Sequence, residues 1–161
     1  MVACAGGSGS IEITMRYLIA ILALAGAVVS ALALHVHYCT DPQPCSINER
    51  WDCGVVNHSP FAEVAGLPVA AIGIAGYLAL AGLAFWRQRA LVFLAALVGL
   101  GFALRLTTIE ELVLQTWCLY CVISQVIIAL ITLLSLGWLG AEYLALRRAT
   151  CGGAGSSAGV P

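Results

Sequence analysis

The sequence predicts an all-α integral membrane protein: a four-transmembrane-helix bundle with a long extracytoplasmic loop and a short interfacial helix. Three observations predict it. Of the 161 residues, 61% are hydrophobic and 9% charged, against roughly 25% charged in a soluble domain. The apolar residues gather into four runs separated by polar intervals. The seven basic residues, all arginine, divide unevenly between those intervals.

Residues 1–14, centred on Gly6-Gly7-Ser8-Gly9-Ser10, read as a disordered extension that contains Cys4. The membrane domain is expected over 15–148, with helices at about 17–35, 67–86, 90–106 and 118–139. The first run follows Arg16 and ends in Ala31-Leu32-Ala33, which resembles a signal-peptide cleavage site. It is longer than the roughly 7–15 residues of such a signal, so it is read as a retained span. The polar interval 35–66 contains Cys39, Cys45, Cys53 and Trp51, and an interval this long is functional or disordered. Ser59-Pro60 reads as an N-cap followed by proline at the first helical position, with Phe61, Val64 and Ala65 on one face of the interfacial helix.

The second run carries Pro68 near its start and Gly73, Gly76 and Gly82, small surfaces for close helix packing. After the Arg87-Gln88-Arg89 turn, the third run extends past Arg105 by snorkelling of that side chain. Glu110 and Glu111 read as a solvated face. Residues 149–161, with Cys151, read as a disordered tail.

Sidedness follows the arginines. Arg16, Arg87, Arg89, Arg147 and Arg148 fall on one side; only Arg50 and Arg105 fall on the other. Both termini are thereby expected in the cytoplasm. Cys39, Cys45, Cys53, Cys118 and Cys121 face the oxidising compartment, and Cys4 and Cys151 the reducing one. A net charge of −1 gives no basis for nucleic-acid binding.

The chemistry is read from Cys118-Leu119-Tyr120-Cys121, at the start of the last apolar run. A helix N-terminus offers free N–H groups and partial positive charge, which favour the reactive thiolate. The i, i+3 spacing puts both sulfurs on one face. The competing reading is two inert apolar cysteines. Cys45 and Cys53, eight residues apart in the same compartment, form a second pair, with a purely structural disulfide as its rival. A mobile pair that meets a soluble protein and a fixed pair that meets a lipid-soluble acceptor together pass two electrons by thiol–disulfide exchange.

Further residues have two readings each. Gln125, one turn beyond Cys121, hydrogen-bonds either a quinone carbonyl or another helix. His35 and His37 are an interfacial pair or, with Cys39, zinc ligands. His58 is a solvated loop residue. Trp51 and Trp117 are interfacial anchors or cover the pocket.

The run Cys45-Ser46-Ile47-Asn48-Glu49-Arg50-Trp51-Asp52-Cys53-Gly54, the following Ser59, Gly66-Leu67-Pro68, Gly73, Tyr77 and Cys118-Leu119-Tyr120-Cys121 resemble the vitamin K epoxide reductase family, over about residues 17–140. The resemblance implies a four-helix bundle around a quinone, ubiquinone or menaquinone. Cys118 and Cys121 would be the active-site pair, with Cys121 nearest the quinone. Cys45 and Cys53 would be the shuttle pair, with Cys53 handing over to Cys118, and Ser59 would hold the loop over the pocket.

Val69 and Gln125 stand where vertebrate members carry asparagine and tyrosine in the quinone pocket. That departure points to a disulfide-forming enzyme of bacterial type, in the inner membrane, that reoxidises a periplasmic thioredoxin-like protein. Some relatives carry that partner as a fused domain; here it is expected to be separate. The alternatives are reduction of the quinone or its epoxide as substrate, and a non-enzymatic metal-binding membrane protein. Cys39 has no counterpart in the family pattern; it makes the exported cysteines an odd five, and is either free or an alternative partner for Cys45.

Overall fold

A computed structural model describes residues 7–39 and 45–153. In chain order its helices are α1 (Gly7–Tyr38), α2 (Cys53–Asn57), α3 (Val69–Phe85), α4 (Arg89–Ile109) and α5 (Leu119–Gly153). Between α2 and α3 run a 3₁₀ turn (Pro60–Ala62) and a two-stranded hairpin, β1 (Glu63–Val64) and β2 (Leu67–Pro68). A single π-helical turn, Glu110–Leu114, follows α4.

Glu12–Tyr38, Arg89–Leu114 and Leu119–Ala141 are long and apolar enough to cross a membrane. The run expected at 67–86 gives a shorter apolar helix of 17 residues, because Leu67 and Pro68 are drawn into the hairpin. At 1.5 Å per residue it covers about 26 Å, a little less than the hydrocarbon thickness of about 30 Å.

Other boundaries also move. α1 begins at Gly7, inside the stretch expected to be disordered, and Glu12 in its early turns holds Arg87 and, at 2.8 Å, Arg89. α5 continues to Gly153, past the expected end at 139, because Ala141 to Ala149 has good helix formers and no glycine or proline to stop it. The expected interfacial helix starts at Pro60 but is cut to one 3₁₀ turn, Pro60–Ala62. Ala65 (φ 53°) and Gly66 (φ 79°) turn the chain back as a two-residue hairpin loop, a geometry that glycine permits without strain.

α1 packs against α3 and α5, α4 packs against α5, and α3 meets α4, so the four long helices close a ring. The core contains Ile19, Ala23 and Ala27 of α1, Tyr77 and Ala84 of α3, Val92 and Ala96 of α4, and Ile127, Ile128 and Ile131 of α5. Many of these are small. Large apolar residues such as Ile21, Val98 and Leu133 point outward instead. Lipid offers no hydrophobic drive for helix association, so close van der Waals approach must hold the bundle.

The glycines show where approach is closest. A Cβ at Gly26 would fall inside the Tyr77 ring, and one at Gly73 would lie 2.9 Å from Ser30 Oγ. Gly76 and Gly82, expected as packing surfaces, have nothing within 4 Å of a built Cβ. Arg16 lies over the Phe85 ring and Arg89 over Trp138, so these arginines and Arg87 gather at one end of the bundle. The cysteine loop closes the other end.

Candidate active site

The loop is built by local hydrogen bonds. Asn48 Oδ1 accepts the backbone N–H groups of Arg50 and Trp51, each at 3.0 Å, and Ile47 N–H donates to Trp51 O at 2.9 Å. This tight turn brings the Cα atoms of Cys45 and Cys53 to 5.8 Å, and the two are joined in a disulfide. Asp52 caps α2. Its Oδ1 accepts the N–H groups of Gly54 (2.8 Å) and Val55 (3.2 Å) and the hydroxyl of Ser46 (2.8 Å).

The Ser46 hydroxyl, with the two backbone donors, holds the Asp52 carboxyl below its ordinary pKa. The carboxylate's contribution is therefore full above the unfolded value of about 3.9 and is lost as pH falls through the depressed folded value. Asp52→Ala is expected to cost about 1 kcal/mol, the usual loss for an N-cap. It should speed reduction of the Cys45–Cys53 disulfide by dithiothreitol at neutral pH. In acid unfolding the difference from the parent protein should shrink as pH falls into the range where Asp52 protonates. An unchanged reduction rate would mean that the cap does not hold the loop.

A short backbone bridge docks the loop on the last helix. Asp52 N–H donates to Trp117 O at 3.1 Å, and Trp117 N–H donates to Arg50 O at 2.8 Å. Trp51 and Trp117, read as interfacial anchors or as a cover for the pocket, pair through their backbones in this bridge, with ring centroids 6.2 Å apart. Cys53 and Cys118 are the next residues on either side. Both are fully buried, in one cluster with Val36, Cys45 and Val56.

Asn57, a residue with no role in the sequence reading, ties the two sides together. Its amide donates to Cys53 O at 2.8 Å and reaches Cys118 Sγ at 3.6 Å. Its position four residues after Cys53, on the same helical face, is the signal by which the sequence could have singled it out. His37 Nδ1 donates to Asn57 O at 2.5 Å, and its Nε2 lies 3.5 Å from Glu63, which anchors α2 to the end of α1. Ser59 occupies the N-cap position of the 3₁₀ turn but makes no side-chain capping bond; its hydroxyl donates to Val56 O at 2.8 Å and holds the turn after α2.

Cys118 immediately precedes α5, as the spacing predicts, and Cys121 lies in its first turn. Both are free thiols. Cys121 N–H donates to Cys118 Sγ at 3.4 Å, so the sulfur itself caps the helix. That donor and the Asn57 amide are the kind that stabilise a thiolate. Glu110, expected on a solvated face, is 3% exposed, and its Oε2 accepts Cys118 N–H at 3.2 Å. Glu111 is exposed. The π turn separates the two carboxylates, and no one-dimensional signal distinguishes them.

A cavity of about 470 Å³ opens between the long helices, within the range of small-molecule sites. Cys121, Ser59 and Val69 line it, together with Glu110, Tyr77 and Ser124. Gln125 does not line it. Its carboxamide is hydrogen-bonded to the Thr107 hydroxyl of α4, so the cross-helix alternative describes it and the expected role in the cavity does not. Tyr77 supplies a further bond across the bundle, from its hydroxyl to Ser124 O at 2.8 Å.

Cys39 Sγ lies 3.6 Å from His35 Nε2. Among the described residues, no three or more His, Cys, Asp or Glu side chains are grouped to hold a metal ion. Cys4 and the Cys151 side chain lie outside the described residues.

The sequence profile of the vitamin K epoxide reductase family matches residues 17–136, a span that takes in both cysteine pairs.

Proposed function

Since the chain belongs to the vitamin K epoxide reductase family, we propose that it is a quinone-coupled thiol oxidase that reoxidises a thioredoxin-like protein outside the cytoplasm. At the coarser level it is a multi-pass membrane oxidoreductase that acts on thiols with a quinone. The observation that supports the reading is the arrangement of the pairs. A loop disulfide lies in one buried cluster with a thiol pair, and one member of that pair lines an apolar cavity.

The cavity fits a quinone ring. Its walls are apolar, with a few polar groups near Cys121 for the ring oxygens. Cys121, Val69 and Ser59 would hold the ring. A bound quinone supplies an acceptor for two electrons and two protons. Gathering of Arg16, Arg87 and Arg89 at one end and of the cysteines at the other supports four crossings of a bacterial inner membrane, with both termini cytoplasmic. α3 is the fourth crossing, its small deficit in length met by local thinning of the bilayer.

The residues act in sequence. A donor thiolate attacks Cys45 and frees Cys53. Cys53 attacks Cys118 in the Cys118–Cys121 disulfide and releases Cys121 as a thiolate. The donor's second thiol resolves its mixed disulfide with Cys45. Cys45 then closes on Cys53 and frees Cys118. The outcome is an oxidised loop pair and a reduced helix pair.

Anaerobic mixing of the pure protein with ubiquinone or menaquinone and a reduced thioredoxin-like donor tests the reading. One quinol should form per donor disulfide. Donor oxidation without quinol, or neither, would overturn it. Replacing Cys39 by Ala should leave turnover within a few-fold, because its sulfur touches only the exposed His35 among the described residues. A loss as complete as that from Cys118→Ala would put Cys39 in the relay.

A further inference from the structure

Glu110 is a carboxylate in an apolar place. It is 3% exposed, it lines the cavity, and it lies at the turn that delivers Cys118 to α5. Its Oε2 accepts Cys118 N–H at 3.2 Å, and Cys121 lines the same cavity. Burying a charge without a partner is costly, so such a group is either bonded or protonated. Its bond is to a backbone N–H, which exchanges no proton in turnover, so the carboxylate is left to take up a proton that Cys121 releases into the same cavity.

We propose that Glu110 is a catalytic proton carrier for the Cys118–Cys121 pair. This rests on the reading of the pair as a quinone-coupled dithiol. In the step, Cys118 thiolate and Cys121 thiol form the S–S bond. Two electrons leave to the quinone. The Cys121 proton moves to the Glu110 carboxylate and is held at the cavity wall, and the quinol takes this proton and one from the solvent side. One S–H bond breaks, one S–S bond forms, and one carboxylate becomes a carboxylic acid. The titratable groups that share the cavity lining with Glu110 are Cys121 and Tyr120 at the start of α5, His37 on α1 and Tyr77 on α3, and Cys118 is bonded to it through its N–H. Glu111, its neighbour in sequence, is solvent-exposed.

Infrared difference spectra of the protein in its dithiol and diamide-oxidised forms, taken without quinone, test the carrier directly. A protonated-carboxyl band should appear on oxidation and be missing in Glu110→Gln. Glu110→Asp, which keeps a carboxyl group, should retain a shifted band, and it stands as the second variant if Glu110→Gln fails to accumulate. In turnover, Glu110→Gln should slow quinol formation about 10²-fold, at the lower end of general acid–base effects, with quinone KM within about twofold. The amide oxygen still accepts Cys118 N–H, so a merely structural role would leave the rate near that of the parent protein.

No band on oxidation, a band that survives in Glu110→Gln, or a Glu110→Gln rate within threefold of the parent would each overturn the proposal. A band that behaves as expected in a protein that forms no quinol would support the proton role and overturn the quinone reading.

Discussion

Cys118→Ala and Cys121→Ala should abolish turnover with every donor, whereas Cys45→Ala and Cys53→Ala should lose activity chiefly with a protein donor. The reason is access. Cys118 is fully buried beneath α2, with Asn57 over its sulfur and the Asp52–Trp117 bridge beside it. A folded donor cannot reach it and must enter through the loop disulfide. Without that disulfide the loop is held only by a few hydrogen bonds, and a small dithiol can pass it to Cys118. The ratio of dithiothreitol-driven to protein-driven quinol formation should therefore rise in both loop variants.

In Cys121→Ala the Cys118 thiolate can still attack Cys53 of the loop disulfide and release Cys45 as a thiolate. No Cys121 is present to displace Cys53 again, so a Cys53–Cys118 disulfide of one chain should accumulate once Cys45 is alkylated, visible by peptide mapping. Equal losses with both donors in all four variants would argue that Cys45–Cys53 is a structural disulfide which merely closes the site.

The second large effect is expected at a residue with no chemistry. Gly26→Ala should be strongly destabilising, although alanine in a helix is ordinarily favoured over glycine by up to about 1 kcal/mol. The added Cβ would overlap the Tyr77 ring, which is 6% exposed and bonded through its hydroxyl to Ser124. Overpacking of this kind costs about 1–3 kcal/mol. The ring can yield only by leaving Ser124 and entering the cavity, so quinone affinity should fall as well. Gly82→Ala meets open space and should be neutral or stabilising. Thermal unfolding of both variants in detergent checks this. Similar midpoints would show that the α1–α3 contact relaxes without loss.

The same residues mark where reading the sequence ran out. Gly73, Gly76 and Gly82 look alike as small residues in an apolar run. Gly73 alone of the three meets another side chain, and the closest approach in the bundle is at Gly26, on a helix with no glycine motif to single it out. Ser59-Pro60 has the local form of a helix start, yet the chain turns back at Ala65-Gly66. The true helix start in that loop is Asp52, whose capping pattern was open to view in the sequence.

Composition, apolar runs and charge placement were readable along the chain because they depend on what each residue is and how it is spaced. So was the position of Cys118 and Cys121 at a helix start, since it follows from short-range backbone geometry, whereas the spacing of the loop cysteines left Cys39 open as a partner for Cys45. The tertiary structure alone decided that Gln125 turns to Thr107, that Glu110 and not Glu111 faces the thiols, and that Trp51 and Trp117 form a backbone bridge. Each depends on the direction in which a side chain or peptide group leaves its element, and on which distant element stands there to meet it. Spacing along one segment carries no record of the second.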